Sequence, residues 1–178
     1  MEKNHKIIIV GLIIVIIALI AGIAYMTMGN SSPSKGGGNA PDGMQIYDFN
    51  SEFKMSVPKN AKFLKEWNYT DPIWGSGYSY FDKDNEFAIL YVDTPLITHE
   101  FANAMVDAMN KSGNGTFEVD GDLLICHNLK ANGKVGDNLE NTNFTERIVL
   151  QKGHQVVGVS GNDLDLIKSM ANTIKFYE

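Results

Sequence analysis

Cysteine and charged residues are scarce in this chain of 178 residues. The single cysteine, Cys126, excludes an intramolecular disulfide. Charged residues make up 20% of the chain and hydrophobic residues 44%. This composition is too apolar for a disordered protein. A net charge of -6 argues against a dedicated nucleic-acid binder. The length excludes a large multidomain enzyme.

The sequence also lacks the common motifs of catalysis and metal binding. The Gly75–Gly77 stretch does not have the spacing of a nucleophile elbow, and no histidine is followed by a second histidine or a carboxylate three or four residues later. Cys126 and His127 are adjacent on a predicted strand, so their side chains point to opposite faces and cannot act as nucleophile and base. We therefore predict no catalytic residue, no metal and no cofactor, and a protein that is not an enzyme.

A long apolar run lies near the N-terminus, although the mean hydropathy of -0.13 is that of an average soluble chain. Residues 7–26 include 18 hydrophobic residues and no charge. At 1.5 Å per residue, a helix of about 20 residues spans about 30 Å, the thickness of the bilayer core. The run predicts a transmembrane helix, which anchors the chain in the membrane.

Charges around this run predict its orientation. Lys3, Lys6 and the α-amino group precede it, and no basic residue follows until Lys35. The positive-inside rule therefore places residues 1–6 in the cytoplasm as a short tip and the later residues outside. The competing interpretation is a cleaved signal peptide ending near Gly22–Ala24. The apolar run exceeds the usual length of about 7–15 residues in such peptides, so we favour an uncleaved, single-pass signal-anchor in the cell membrane.

The remaining chain divides into a linker and a domain. Residues 27–43 are rich in Gly, Ser, Pro and Asn, which predicts a flexible linker. Residues 44–178 contain 57 hydrophobic residues among 135, the composition of a globular domain. Their 12 basic and 19 acidic residues give a charge of -7, which disfavours anionic lipid headgroups and nucleic acid as partners.

Alternating hydrophobicity in the domain predicts nine strands, and helical spacing predicts two helices. The predicted strands are 44–49, 53–57, 62–69, 78–82, 86–92, 116–119, 123–129, 145–151 and 155–160. The predicted helices are 98–110, and 163 to about 175 with Asn162 or Asp163 as its N-cap. This order predicts an α+β fold in which an N-terminal transmembrane helix is followed by a mostly antiparallel sheet with two packing helices.

Three segments together resemble a known family. They are the strand Phe53–Pro58, the amphipathic helix in the middle of the chain, and the final helix ending at Phe176. This combination resembles the PsbP-like α/β sandwich, and similar small anchored domains of unassigned function occur in methanogenic archaea. The resemblance implies an extracytoplasmic, non-catalytic interaction fold and supplies no functional residue.

Aromatic residues are concentrated in one part of the domain. Residues 67–81 contain six of the chain's 18 aromatics: Trp67, Tyr69, Trp74, Tyr78, Tyr80 and Phe81. Alternation predicts that Trp67 and Tyr69 share one strand face, as do Tyr78 and Tyr80, in a hairpin with cross-strand aromatic pairs. The rings either belong to the core or, with Trp74 exposed in its loop beside Tyr78, form an apolar or sugar-stacking patch. The five residues other than Phe81 are our candidate ligand-binding residues.

Glycosylation acceptors are more frequent than chance. Composition predicts about two Asn-x-Ser/Thr sequons, and the chain has five. They begin at Asn30, Asn68, Asn110, Asn114 and Asn143. On an extracytoplasmic domain these residues are candidate acceptors in a glycoprotein. The alternative is that an asparagine-rich chain contains sequons that are never used.

Acidic residues form three pairs, Asp82/Asp84, Asp120/Asp122 and Asp163/Asp165. Each pair offers oxygen ligands for calcium but lacks the remainder of a calcium-loop motif. Solvated turns and a helix N-terminus account for them equally well, and we favour that explanation.

These observations predict a membrane-anchored extracytoplasmic domain that binds a cell-envelope component or another membrane protein. One alternative is an envelope hydrolase whose acidic residues are distant in sequence. The other is a calcium or small-molecule sensor that uses the acidic turns.

Overall fold

The structure is a computed structural model of the whole chain. It describes residues 33–73, 75–95, 106, 109–111, 113, 115–129 and 144–177, without the side chains of residues 34, 66, 67 and 69. The predicted membrane span, the cytoplasmic tip and Trp74 therefore lie outside the described residues.

Eleven strands form two antiparallel sheets in the described part of the chain. The strands are β1 (Ser34–Lys35), β2 (Met44–Phe49), β3 (Phe53–Pro58), β4 (Leu64–Asp71), β5 (Gly75–Asp82), β6 (Phe87–Asp93), β7 (Thr116–Asp120), β8 (Leu123–His127), β9 (Glu146–Lys152), β10 (Gln155–Gly161) and β11 (Lys175–Phe176). A four-stranded sheet has the order β1-β2-β3-β11, and a seven-stranded sheet has the order β4-β5-β6-β10-β9-β8-β7. The mostly antiparallel fold with few helices confirms the predicted class at this level, but the sequence predicted one sheet where there are two.

The main core lies between the two sheets. Phe53 from the small sheet stacks on Phe49 with ring centroids 4.7 Å apart and on Tyr91 of the large sheet at 5.7 Å. Ile148 from β9 and Ile167 from the C-terminal helix are fully buried in the same cluster. Each such side chain contributes roughly 1.5–3 kcal/mol by leaving water, so this layer stabilises the sandwich.

The C-terminal helix spans Leu164–Ala171 and packs on the large sheet. Asp163 caps it by accepting a hydrogen bond from the Leu166 backbone N–H at 3.0 Å, which confirms one of the two predicted caps. The predicted continuation to residue 175 is wrong, because Lys175 and Phe176 pair with β3 as strand β11. Pairing with the edge of a sheet outweighs the helical pattern of this short segment.

A second cluster covers the opposite face of the large sheet. Val106 and Met109 are helical, as predicted for residues 98–110, and they pack on Phe117, Leu124 and Cys126. The remainder of that predicted helix lies outside the described residues. The large sheet is therefore covered on both faces, at least in part.

The predicted linker contributes to the small sheet. Ser34 pairs with Asp48 and Lys35 with Tyr47, so β1 lies within the range 27–43 that the sequence assigns to a flexible linker. The prediction is corrected for these two residues, because the edge of β2 offers them backbone partners. None of the helices among residues 33–177 that the structure describes has the length and apolar character needed to span a bilayer.

Candidate interaction site

Strand β4 is an edge strand of the large sheet within the described residues, and two exposed apolar side chains flank it. Leu64 at its start is 50% exposed, and Ile73 just beyond its end is 68% exposed. These two residues, the exposed Pro72 and the intervening edge of β4 are called the hairpin surface below. Large exposed hydrophobic residues at an edge strand are typical of an interaction site.

Two local features hold Ile73 in the turn between β4 and β5. Asp71 Oδ1 accepts the Ile73 backbone N–H at 2.8 Å, an Asx-turn that fixes the start of the turn. Gly75 follows with a φ of +94°, a conformation that favours glycine. Asp71 and Gly75 thus determine the shape of the turn, and the turn exposes the apolar side chain of Ile73 to solvent.

Two of the aromatic residues predicted for a binding surface are buried in the structure. Tyr78 is 5% exposed and Tyr80 is 1% exposed, so both belong to the core between the sheets. The patch interpretation is corrected for these two residues, and the core interpretation is confirmed for them. The register also separates the aromatic pairs, because Trp67 pairs with Ser79 and Tyr69 with Gly77. A β-bulge between Lys65 and Trp67 shifts the alternation that the sequence pattern assumed.

The buried tyrosines have specific polar partners. The Tyr78 hydroxyl donates to the Phe49 carbonyl oxygen at 3.0 Å, and the Tyr91 hydroxyl donates to Glu52 Oε2 at 3.0 Å. Burial raises the pKa of Tyr78 and of Tyr91 well above that of an ordinary tyrosine, and Glu52 reinforces both shifts. These groups stay protonated and act as structural donors.

A second polar group forms where β7, β8 and β9 lie side by side. His127 Nδ1 lies 2.6 Å from Glu146 Oε2, and His127 Nε2 lies 3.5 Å from Glu118 Oε1. Glu146 Oε1 also accepts the Asn128 backbone N–H at 3.3 Å. Sequence reasoning missed this group because its acids lie 9 and 19 residues from the histidine. Only the strand register, which aligns β8 with both neighbours, would have revealed it.

This group does not resemble a metal centre. The two ring nitrogens of His127 face two different carboxylates, so the three side chains do not converge on one point. No set of three or more His, Cys, Asp or Glu side chains in the described parts of the chain is arranged to hold a metal ion. The geometry suits a histidine that is oriented by one carboxylate and available to a second.

Cys126 lies on the opposite face of β8 from His127, as predicted. It is 4% exposed and packs on Phe117 and Leu124. Burial raises the pKa of its thiol to about 12, so the thiolate is absent at physiological pH. Its cross-strand neighbour Arg147 donates from Nε to Ser160 Oγ at 2.8 Å, and burial lowers the pKa of this guanidinium. The cysteine is a packing residue.

The acidic pairs have structural partners in the described residues. Asp82 is fully buried and accepts backbone N–H groups from Lys62, Asp84 and Asn85. Asp84 pairs with Lys62, Asp120 pairs with Lys168, and Asp163 caps the C-terminal helix. Bonds within the fold thus account for one or both members of each pair.

Two of the five sequons have a described acceptor asparagine. Asn68 lies in strand β4 and is half-buried, and Asn110 is helical and exposed with its side chain bound to the backbone of Phe117. Asn30, Asn114 and Asn143 lie outside the described residues. The position of Asn68 agrees with the strand predicted for residues 62–69.

The chain was compared with models of protein families, with curated proteins and with solved structures, and none of these comparisons found a match.

Proposed function

We propose that this chain is a single-pass membrane protein that presents its α+β domain outside the cell as a non-catalytic interaction module. Its hairpin surface contacts a partner that is a cell-envelope component or another membrane protein. The observation that carries this proposal is the exposure of Leu64 and Ile73 at the two ends of edge strand β4. The resemblance to PsbP-like domains agrees with such a role and remains a hypothesis.

The membrane location in this proposal rests on the apolar, uncharged run at residues 7–26 and on the basic residues before it. The buried Cys126 makes the location testable, because the chain has no other thiol. Asn60→Cys places one reactive thiol in the exposed turn after β3. In intact cells a membrane-impermeant maleimide should label this variant and leave the native chain unlabelled. Labelling only after lysis would place the domain inside and contradict the proposal.

The contact surface is testable by photo-crosslinking in intact cells. A photoreactive residue at position 73 should give one defined crosslinked species. The matched control is position 119, since Val119 is 37% exposed on β7 at the other edge of the same sheet. Equal products from both positions, or none from position 73, would contradict the proposed surface.

Charge substitutions then separate contact from folding. Ile73→Lys combined with Leu64→Lys should abolish the crosslinked species, because charges replace the apolar contacts. Thermal unfolding should change little, since both side chains are at least half exposed in the native state. Loss of the folded state in this variant would mean that these residues stabilise the domain itself.

The His127 group supports a second candidate function, the envelope hydrolase with acids distant in sequence. Glu146 orients the imidazole through a 2.6 Å contact, as a carboxylate does for a general base. His127→Ala should then abolish function in cells while the domain stays folded and still crosslinks from position 73. His154→Ala is the control, because His154 is paired with Asp93 at an exposed turn. Retained function in the His127 variant would exclude the hydrolase.

A further inference from the structure

Asn110 binds the backbone of an edge strand. Its Nδ2 donates to the Phe117 carbonyl oxygen at 2.9 Å, and its Oδ1 accepts the Phe117 backbone N–H at 2.7 Å. Strand β7, which contains Phe117, has only β8 as a neighbour among the described strands. One side-chain amide therefore makes the two hydrogen bonds that a further strand would make at this residue.

The direction of these bonds follows from the ladder. Successive residues in an antiparallel pair alternately point their backbone groups toward the partner and away from it. Because both groups of Phe117 bind Asn110, they point away from β8, and those of Val119 do the same. Val119 is 37% exposed. Among the described strands, none covers the edge of β7 beyond the position that Asn110 occupies.

The apolar cluster holds Asn110 in place. The preceding residue, Met109, is 6% exposed and packs with Phe117 and Cys126. The helix and the strand are therefore joined twice, by buried side chains on one side of the backbone and by the amide at the edge. This double contact holds the amide against the Phe117 backbone.

The same asparagine begins the sequon Asn110-Lys111-Ser112. In N-glycosylation, Nδ2 attacks C1 of a sugar carried on a lipid-linked pyrophosphate. The N–C1 bond forms, the C1–O bond breaks with its electron pair going to the pyrophosphate, and Nδ2 loses one hydrogen as a proton. The product is a secondary amide, which places C1 on the same side as Oδ1, as a trans peptide places the next Cα beside the carbonyl oxygen.

A conflict follows from this geometry. The Asn110 amide makes both hydrogen bonds to the backbone of one residue, Phe117. To do so it must donate the Nδ2 hydrogen that lies on the same side of the amide as Oδ1. That position is the one that C1 takes in the glycosylated amide. We propose that the two hydrogen bonds of the Asn110 side chain cover the edge of strand β7 at Phe117, and we call this arrangement the edge lock. The edge lock and a glycan on Asn110 are mutually exclusive.

Amide exchange of Phe117 in the full chain tests the lock. Asn110→Ala should speed this exchange about tenfold relative to the native chain, the factor expected for one net hydrogen bond. Asn60→Ala is the control, since Asn60 lies in an exposed turn after β3. Asn110→Asp should give an exchange rate between those of the native chain and Asn110→Ala, because it retains the acceptor for the Phe117 N–H but loses the donor and places a carboxylate oxygen against the Phe117 carbonyl oxygen. Equal exchange in the Asn110→Ala variant and the native chain would overturn the lock.

Expression of the full chain in an N-glycosylating host tests the exclusion. Lys62→Thr turns the exposed Asn60 into an acceptor, and its glycan verifies that the host modifies this protein. Chains with a glycan at Asn110 should be absent or should show fast exchange in the segment 115–119. Chains that carry the glycan and exchange as slowly as unmodified chains would overturn the proposal.

Discussion

Gly75 lies so close to Asp93 that a β-carbon at position 75 would be 1.9 Å from the Asp93 carbonyl oxygen. The contact joins the turn of the β4–β5 hairpin to the end of β6. The Asp93 and Thr94 backbone is fixed in turn, because the Thr94 N–H donates to the His154 carbonyl oxygen at 3.1 Å. The hairpin surface is therefore supported by three consecutive strands of the large sheet.

This contact predicts a large effect of Gly75→Ala. Both the backbone clash and the positive φ oppose a side chain, so we expect a loss of about 2–4 kcal/mol in the free energy of unfolding. Gly153→Ala is the control, since Gly153 has a φ of +60° but nothing within 4 Å of its β-carbon position. That variant should lose only about 1 kcal/mol in urea denaturation. Equal losses would show that the contact with Asp93 contributes nothing.

Asp82→Ala should destabilise the domain strongly. The carboxylate is fully buried, and its removal leaves the N–H groups of Lys62, Asp84 and Asn85 without an acceptor. We expect a loss of about 3 kcal/mol by thermal or urea unfolding. Asp84→Asn should change little, because the Asp84 pair with Lys62 is exposed.

The same carboxylate bears on the calcium-sensor alternative. The Asp82 oxygens are occupied by internal donors, so calcium should leave the melting temperature of the native chain unchanged. A calcium-dependent rise in melting temperature that disappears in Asp84→Asn would favour the sensor instead.

The buried thiol predicts a pH dependence in the alkaline range. The pKa of Cys126 is about 12 in the folded chain, against 9.0 for an ordinary cysteine. Above pH 9 the unfolded chain loses this proton and the folded chain keeps it, so stability falls until about pH 12. The slope is about 1.4 kcal/mol per pH unit for one such group. Buried tyrosines add to the total, so the measurement is the difference between the native chain and Cys126→Val. Identical slopes in both proteins would contradict a buried thiol.

Tyr78→Phe separates the core from the interaction surface. The variant leaves the Phe49 carbonyl without its 3.0 Å donor, and we expect a loss of about 1–2 kcal/mol in the free energy of unfolding. Crosslinking from position 73 should be unaffected, because Tyr78 is buried between the sheets. Loss of crosslinking in a folded Tyr78→Phe protein would show that Tyr78 contributes to the binding surface.

Local patterns predicted most of the strands and the class of the fold, because alternation and turn residues act over a few positions. The strand predicted for 53–57 is observed as β3, and that for 155–160 is observed as β10. The division into two sheets was not predictable in this way. It depends on which strands pair, and β11 joins β3 across more than 100 residues of sequence.

The candidate site was predicted less well than the fold. Composition identified the aromatic segment, but a single bulge between Lys65 and Trp67 changes which residues share a face. Ile73 has no neighbour in sequence that predicts its exposure. Its position depends on the Asx-turn of Asp71, which is local, and on the close approach of Gly75 to the Asp93 backbone, which is a tertiary feature.

The pairing of β1 with β2 shortens the segment between the proposed membrane anchor and the folded domain. If residues 7–26 anchor the chain as proposed, only residues 27–33 separate the bilayer from the first paired strand. By the scaling of a flexible chain, seven residues would reach about 13–16 Å and the whole predicted linker of 17 residues about 20–25 Å. A domain held this closely would sample the layer next to the lipid headgroups, where the partner that we propose would be a membrane protein or a component that projects down to the bilayer surface.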